Sequence, residues 1–124
     1  MEDDLIYTDS KISAEPAAFD SKYQFDSGWM AESNQTNHNL VIAHNLHVSP
    51  TQIAIIFSPD QETIYPLLWP WDNSKSGNPI SIWADTTTIT LSIYSKVPLH
   101  GSWNGQTSSW TYWNTGYFRV FASS

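Results

Sequence analysis

The sequence predicts an all-β fold, a single antiparallel β-sandwich of about six to seven strands with an N-terminal extended arm. The clearest strand, Thr88–Tyr94, alternates apolar and polar side chains, which is typical of a sheet with one covered face. Turn residues fall between the apolar segments, and no stretch carries a helical period long enough to indicate a helix. At 124 residues the chain has the size of one domain.

The expected strands follow from the positions of the apolar runs and of the turn residues that separate them. In chain order they are Tyr23–Trp29, Asn39–Ala43, Gln52–Ser58, Thr63–Leu68, Ile80–Ala84, Thr87–Ser95 and Tyr117–Ala122. Ile89, Leu91 and Ile93 are expected to face the core. The run from Ile53 to Phe57 is apolar on both faces, so we expect a central strand that is covered on both sides.

The start of the chain differs in composition from the rest. Residues 1–22 mix acids, serines and small residues with few apolar side chains, so we expect an extended acidic arm. The sandwich domain then occupies residues 23–124. Two interpretations of the arm stay open: a solvated tail, or a segment that docks on a neighbouring subunit.

The charge of the chain argues against two classes of partner. The net charge is −7 and Arg119 is the only arginine, so the clustered cations that bind nucleic acid or anionic membranes are lacking. The N-terminus has no signal-peptide pattern, and no apolar run is long enough to span a bilayer. We expect no nucleic-acid partner, no membrane insertion, and synthesis in the cytoplasm followed by action in a virion or extracellular particle.

The sequence holds no recognisable catalytic or metal-binding pattern. Cysteine and the Gly-x-Ser-x-Gly motif are both absent from it. His38, His44 and His47 lie within ten residues, but the only nearby acid is Glu32, which favours ordinary hydrogen-bonded histidines over a metal site. We therefore expect a protein that is not an enzyme and that needs no metal and no cofactor.

The later acids also have an expected structural role. Each lies in or beside a predicted turn, where Asp commonly accepts hydrogen bonds from backbone amides. These acids are Asp60, Glu62, Asp72 and Asp85.

Tryptophan is the residue type that bears most directly on function. Of seven tryptophans, five lie in segments rich in Pro, Gly, Asn and Ser rather than in apolar runs. Sugar-binding sites combine aromatic faces, which stack on a pyranose, with amides and carboxylates that bond its hydroxyls. The candidate ligand-binding residues are Trp69, Trp71, Asp72, Asn73, Trp103, Asn104, Trp110, Trp113 and Asn114. Equally open is that the tryptophans close the two ends of the sandwich while Asn and Asp shape its turns.

The last predicted strand carries aromatic side chains on both faces, of which only one can belong to the core. Phe118, Val120 and Ala122 form one face, and Tyr117, Arg119 and Phe121 form the other. We expect this second face to contact another subunit. Arg119 then pairs with an acid across that contact, or else forms an ordinary ion pair on its own surface.

Three short motifs resemble a known group of modules: Phe25–Trp29 (FDSGW), His44–Pro50 (HNLHVSP) and Gly116–Val120 (GYFRV). In this order they resemble the small β-sandwich modules at the tips of bacteriophage tail fibres, and the arrangement is similar to H-type lectin domains, which are trimeric and bind galactose-type sugars. No motif matches the sugar-binding residues of the lectins, so none is carried over.

The resemblance implies a homotrimer that presents its loops to a glycan or a cell-surface receptor. It also implies that His44 and Asn45 pin a turn, that Leu46 fills the core, and that Trp29 belongs to the core. The predicted function is non-enzymatic recognition of carbohydrate or of a cell-surface receptor. The alternative is a purely structural subunit of a virion or other assembly, such as a decoration, collar or fibre component.

Overall fold

The computed structural model describes residues 22–67 and 77–124. Within these ranges the chain is all-β, without a helix, and every strand pairing is antiparallel. It follows that no helix capable of crossing a membrane occurs in this part of the chain. The predicted arm, apart from Lys22, and the candidate site residues Trp69, Trp71, Asp72 and Asn73 lie outside the described residues.

The described residues form ten strands, more than the six to seven that the sequence predicts. In chain order they are β1 (Phe25–Asp26), β2 (Met30–Ser33), β3 (His38–Ala43), β4 (Gln52–Ser58), β5 (Tyr65–Pro66), β6 (Ser81–Ala84), β7 (Thr88–Ile93), β8 (His100–Asn104), β9 (Ser109–Trp113) and β10 (Thr115–Ser123). Of the first predicted strand, Tyr23–Trp29, only Phe25–Asp26 forms a strand, and β2 and the β8–β9 hairpin have no counterpart among the predicted strands.

The largest sheet is built around β10 and has the order β1-β10-β4-β5, with β2 on the same side of β10 as β1. Between β1 and β2, three residues, Ser27 to Trp29, oppose two residues of β10. This is a β-bulge, and Gly28 supplies the left-handed conformation it needs, with φ +72°. The Ser27 hydroxyl accepts the Val120 N–H at 2.9 Å, which replaces a ladder bond at the bulge.

The second sheet has the order β3-β7-β6. Its β6–β7 turn is organised by Asp85, whose Oδ1 accepts the backbone N–H groups of Thr87 at 2.9 Å and Thr88 at 2.8 Å. Asp60 does the same for Glu62 and Thr63 in the loop after β4. The expectation that Asp60 and Asp85 hold turns is confirmed.

The core contains side chains from both sheets. Its buried members are Ile42, Ile55, Phe57, Ile89, Leu91, Ile93, Leu99, Phe118, Val120 and Ala122. The inward orientation predicted for the alternating residues of β7 is confirmed. β4 lies between β10 and β5 as expected, but cover on both sides is not confirmed among the described residues: on the face opposite Ile55 and Phe57, Ala54 and Ile56 are only half-buried.

The turn after β3 is held by the side chain of His44, as expected. His44 is buried, its Nε2 lies 2.8 Å from the carbonyl oxygen of Asp85, and its Nδ1 accepts the Leu46 N–H at 3.0 Å. Because Nδ1 accepts, these contacts assign the ring proton to Nε2. Asn45 has φ +56°, a conformation that asparagine tolerates, and Leu46 packs against the core.

The outer face of β10 is organised by an ion pair within the chain. Arg119 donates from Nε to Asp26 Oδ1 at 2.8 Å and from Nη2 to Asp26 Oδ2 at 2.6 Å. The hydrogen bond from Arg119 lowers the pKa of the Asp26 carboxyl. The guanidinium also lies 5.6 Å from the Trp29 ring centre, and Trp29 is half-buried outside the core. The prediction that Trp29 is a core residue is wrong, because it belongs to the bulge.

The subunit contact expected at Tyr117, Arg119 and Phe121 stays a prediction. The structure shows how far these side chains are already covered within the chain. Phe121 is only 7% exposed, with the Tyr23 ring 5.7 Å away and the Arg119 guanidinium 5.3 Å from its ring centre. Its side chain is therefore largely covered within the chain, whereas Tyr117 is half-buried.

Candidate functional site

The β8–β9 hairpin separates its side chains onto two faces. Trp103 lies opposite Trp110 and Gly101 lies opposite Tyr112 in the antiparallel register. Opposite residues of an antiparallel pair share a face, as do residues two apart on one strand. Trp103, Trp110 and Tyr112 therefore stand together on one face of the hairpin; we call these three residues the aromatic platform.

The rings of the platform are close together and open to solvent. The Trp103 and Trp110 ring centres are 5.6 Å apart with the planes tilted by 55°, while Trp110 and Tyr112 are 5.8 Å apart and nearly parallel, at 8°. Trp103 is 51% exposed, Tyr112 38% and Trp110 36%. Cross-strand aromatic pairs stabilise hairpins, so the same rings both hold the hairpin together and form its surface.

The opposite face anchors the hairpin to the body of the protein. His100 and Trp113 lie opposite each other and pack against Tyr65, at ring-centre distances of 5.0 and 5.1 Å, and against Phe57, at 5.3 and 5.9 Å. Burial lowers the pKa of His100, since the charged imidazolium is disfavoured away from water. Trp113 is thus part of the packing beneath the hairpin.

Two asparagines fix the base of the hairpin. Asn78 is buried; its side-chain amide donates to the carbonyl oxygens of Tyr94, Val97 and Pro98, and its Oδ1 accepts the Tyr94 N–H at 2.7 Å. Asn34 donates from Nδ2 to the Val97 carbonyl oxygen at 2.6 Å. The loop that leads into β8 is therefore held by side chains from elsewhere in the chain.

The tip of the hairpin is a polar turn. Asn104 Oδ1 accepts the backbone N–H groups of Gln106 at 2.9 Å and Thr107 at 3.3 Å. Thr107 and Ser109 hydroxyls lie 2.7 Å apart, and Ser108 takes a left-handed conformation with φ +53°. Every residue from Trp103 to Tyr112 is exposed, so the platform lies on a projecting element rather than in a pocket.

The hairpin and its flanks are free of ionic charge although the chain as a whole is acidic. From Val97 to Phe118 the sequence has no Asp, Glu, Lys or Arg. Its only histidine is His100, which lies on the buried side of the hairpin. Twelve acids and five bases are distributed over the remaining chain. The platform and its surroundings therefore present aromatic rings and neutral hydroxyl and amide groups.

The structure brings together only some of the predicted ligand-binding residues. Trp103 and Trp110 meet on the platform. Trp113 packs on the core side, and Asn104 shapes the turn, which are the structural roles that the sequence leaves open for them. Asn114 accepts a hydrogen bond at its Oδ1 from Asn34 Nδ2, at 3.1 Å, beside the base of the hairpin.

Tyr112 is the platform residue that the predictions omit. Its signal in the sequence is the spacing Trp110-x-Tyr112, which puts both rings on one face of a strand, whereas Trp113 falls on the other. Once Ser109–Trp113 is assigned as a strand, the two-residue period distinguishes these roles.

The other polar clusters have structural partners. His38 contacts the Glu32 carboxylate through Nε2 at 2.8 Å and the Thr36 carbonyl oxygen through Nδ1, also at 2.8 Å. The pKa of His38 is raised, mainly by the hydrogen bond with the Thr36 carbonyl oxygen and also by the Glu32 carboxylate. Burial has the opposite but smaller effect. No group of three or more His, Cys, Asp or Glu side chains suited to a metal ion occurs in residues 22–67 and 77–124.

The two turn carboxylates have lowered pKa values, the opposite of what a general acid requires. Hydrogen bonds from Thr63 and Glu62 amides lower the pKa of Asp60, and those from Thr87 and Thr88 lower the pKa of Asp85 to about 2. Both carboxylates are ionised at neutral pH and occupied by backbone amides.

The chain matches no model of a known protein family, and no curated protein matches it significantly.

Proposed function

We propose that this protein is a non-enzymatic recognition module that binds carbohydrate, as a free glycan or on a cell-surface receptor, through the aromatic platform of the β8–β9 hairpin. Trp103, Trp110 and Tyr112 supply ring faces that stack on the C–H faces of sugars. Neutral side chains near the tip, such as Gln106 and Ser108, supply hydrogen bonds to hydroxyl groups.

The observation that carries this proposal is the exposure of three adjacent rings on an uncharged, projecting hairpin. Large aromatic side chains are normally buried, and a cluster of them in solvent marks an interaction surface. The Trp103–Trp110 pair lies directly across the two strands, and Tyr112 extends the ring surface beyond that pair. A neutral ligand with apolar faces and many hydroxyls is the chemistry that such a surface complements.

The finer architecture belongs to the same proposal. We infer that the β10-centred sheet and the β3-β7-β6 sheet pack face to face as a sandwich, which is supported by the core that they share. We infer further that three copies assemble through the outer face of β10, near Tyr117 and Arg119, as in the tail-fibre and H-type lectin modules that the motifs resemble. The protein would then act on the surface of a virion or extracellular particle.

The first test is a glycan-array screen of the purified protein, with its mass in solution measured in parallel. A hit that is lost in Trp103→Ala supports the proposal. Trp83→Ala is the matched control, because Trp83 is 49% exposed but lies on β6, in the other sheet. Tyr112→Ala separates loss of binding from loss of the hairpin. If the variant binds more weakly but keeps the circular dichroism signal of the coupled Trp103–Trp110 pair, the hairpin is still formed. Absence of any hit from folded protein would overturn the carbohydrate proposal.

A second candidate function, a structural subunit of an assembly, is favoured by a different surface. Val41, Thr90 and Trp83 form a row across the outer face of the β3-β7-β6 sheet, and Val41 and Trp83 are 57% and 49% exposed. Burial of this row between subunits would explain its apolar side chains. A double variant, Val41→Ser with Trp83→Ser, should then reduce the mass in solution; an unchanged mass would argue against this interface.

A further inference from the structure

We propose that the ligand of the platform is an extended neutral polysaccharide chain, bound along several consecutive sugar units, rather than a single terminal sugar or an acidic glycan. This inference rests on the proposed carbohydrate-binding function and specifies its substrate class. The extent of the platform, its openness and its charge each point to it.

The extent of the platform exceeds one sugar ring. Tyr112, Trp110 and Trp103 follow one another with neighbouring ring centres 5.8 and 5.6 Å apart. One pyranose covers about one aromatic side chain when it stacks face to face, so a single sugar leaves most of the platform in water. A chain of linked sugars contacts all three rings at once, and each stacked ring adds to the affinity.

The openness of the platform argues against a small ligand. Pockets for small molecules bury most of the ligand surface, which compensates for its loss of translational freedom. Here every residue from Trp103 to Tyr112 is exposed, and the rings stand on a projecting two-stranded element. A single sugar would bury one face only, whereas a polymer gains its affinity from repeated contacts and can continue past both ends of the platform.

The charge of the protein selects against an acidic polymer. No lysine or arginine lies between Val97 and Phe118, so the hairpin itself supplies no cation to bind a carboxylate or sulfate group. The net charge of −7 adds a general repulsion toward polyanions. A neutral chain meets neither obstacle.

The experiment is a length series measured by isothermal titration calorimetry on the full chain. The probes are β-1,4-linked oligomers of glucose and of N-acetylglucosamine, from one to six units, with oligogalacturonate as the acidic probe. In at least one neutral series, affinity should rise roughly threefold to tenfold with each unit up to about three and then level off. Oligogalacturonate should bind at least tenfold more weakly than the matching neutral oligomer.

Variants connect the series to the platform. Tyr112→Ala should make the affinity level off about one unit earlier, since it removes the ring at one end, while Trp83→Ala should leave the whole series unchanged. This inference is overturned, and the proposed function stands, if the array gives a hit together with any one of four results. These are a flat length series, equal binding of a monosaccharide, tighter binding of oligogalacturonate, and no binding of either neutral series. Failure of all glycans on the array overturns both.

Discussion

The aromatic ring of Tyr112 lies over the backbone of Gly101, in the space that a β-carbon would occupy. A Cβ built on Gly101 would be 2.9 Å from both Cδ1 and Cε1 of that ring. The two residues are directly opposite each other in the β8–β9 register, and an aromatic ring that covers a cross-strand glycine compensates for the missing side chain. The absence of a side chain at position 101 therefore sets the position of one end of the platform.

Gly101→Ala should weaken glycan binding while leaving the protein folded. The new methyl group displaces the Tyr112 ring, which is at the end of a partly exposed side chain and can rotate outward at little cost. We expect affinity for the best array ligand to fall roughly threefold to tenfold, the loss of about one stacked ring, with the free energy of unfolding changed by about 0.5 kcal/mol or less. Calorimetric titration and urea denaturation measure the two quantities.

The double variant Gly101→Ala with Tyr112→Ala supplies the control. If the methyl group acts only through the Tyr112 ring, the double variant binds as weakly as Tyr112→Ala alone, and the two effects are not additive. Additive losses would show that Gly101 matters by another route.

A second glycine should respond in the opposite way. A Cβ on Gly116 would lie 2.5 Å from Cζ of Phe57 and 3.0 Å from the Ser58 carbonyl oxygen, and Phe57 is fully buried. Because neither neighbour can move into solvent, Gly116→Ala should destabilise the fold by about 1–3 kcal/mol. Gly105→Ala is the comparison, since its nearest contact is Trp103 Nε1 at 3.8 Å and its stability should change by about 0.5 kcal/mol or less. Urea denaturation of both variants decides; equal stability would contradict the packing argument.

The sheets could largely be predicted because their signal is local. The alternation of Ile89, Leu91 and Ile93 reports the buried face of β7 directly, and β4 has its predicted bounds, Gln52–Ser58. The first strand could not be predicted in the same way. Its interruption depends on the register between Gly28 and β10, a long-range relation that neighbouring residues do not encode.

The two strands of the hairpin, β8 and β9, were not predicted from the sequence, and the reason is physical. Apart from His100 and Trp113, the core-side face of β8 and β9 carries Ser, Asn and Thr where an ordinary strand would show apolar residues. Such a hairpin is stabilised by cross-strand ring pairs and by clamps at its base, such as Asn78, which lies far away in sequence. Abundant tryptophan indicates a binding surface, but only the assignment of Ser109–Trp113 as a strand places Trp110 and Trp113 on opposite faces.

Asn78→Ala should destabilise the protein strongly. Asn78 is buried, and its side chain contacts the backbone of Tyr94, Val97 and Pro98, so its truncation removes the acceptor of the Tyr94 N–H and one donor to each of three carbonyl oxygens. We expect a loss of about 2–4 kcal/mol in urea denaturation.

Asn104→Ala is the matched control for Asn78→Ala. Asn104 also bonds two backbone amides, but at an exposed turn where water can replace it, and its loss should cost about 1 kcal/mol or less. Similar losses in the two variants would contradict the view that Asn78 holds the base of the hairpin from a buried position.

Two histidines should give stability opposite dependences on pH. The pKa of His38 is raised in the folded protein by its hydrogen bond to Thr36 and its contact with Glu32, whereas burial lowers the pKa of His100. The unfolded value is 6.5 for both. The contribution of His38 to the free energy of unfolding is therefore complete below pH 6.5 and is lost as pH rises through its folded pKa. The contribution of His100 is complete above pH 6.5 and is lost as pH falls through its folded pKa.

Variants at the two positions should therefore flatten opposite sides of the stability profile. His100→Phe keeps an aromatic ring against Tyr65 and Trp113 but cannot titrate, so it should reduce the loss of stability as pH falls below 6.5. His38→Gln removes the cation beside Glu32, so it should reduce the loss above about pH 6.5 and leave the acid side unchanged. Urea denaturation of the natural sequence and both variants at closely spaced pH values measures the slopes. A steeper acid-side loss in His100→Phe, or a change on the acid side alone in His38→Gln, would contradict these assignments.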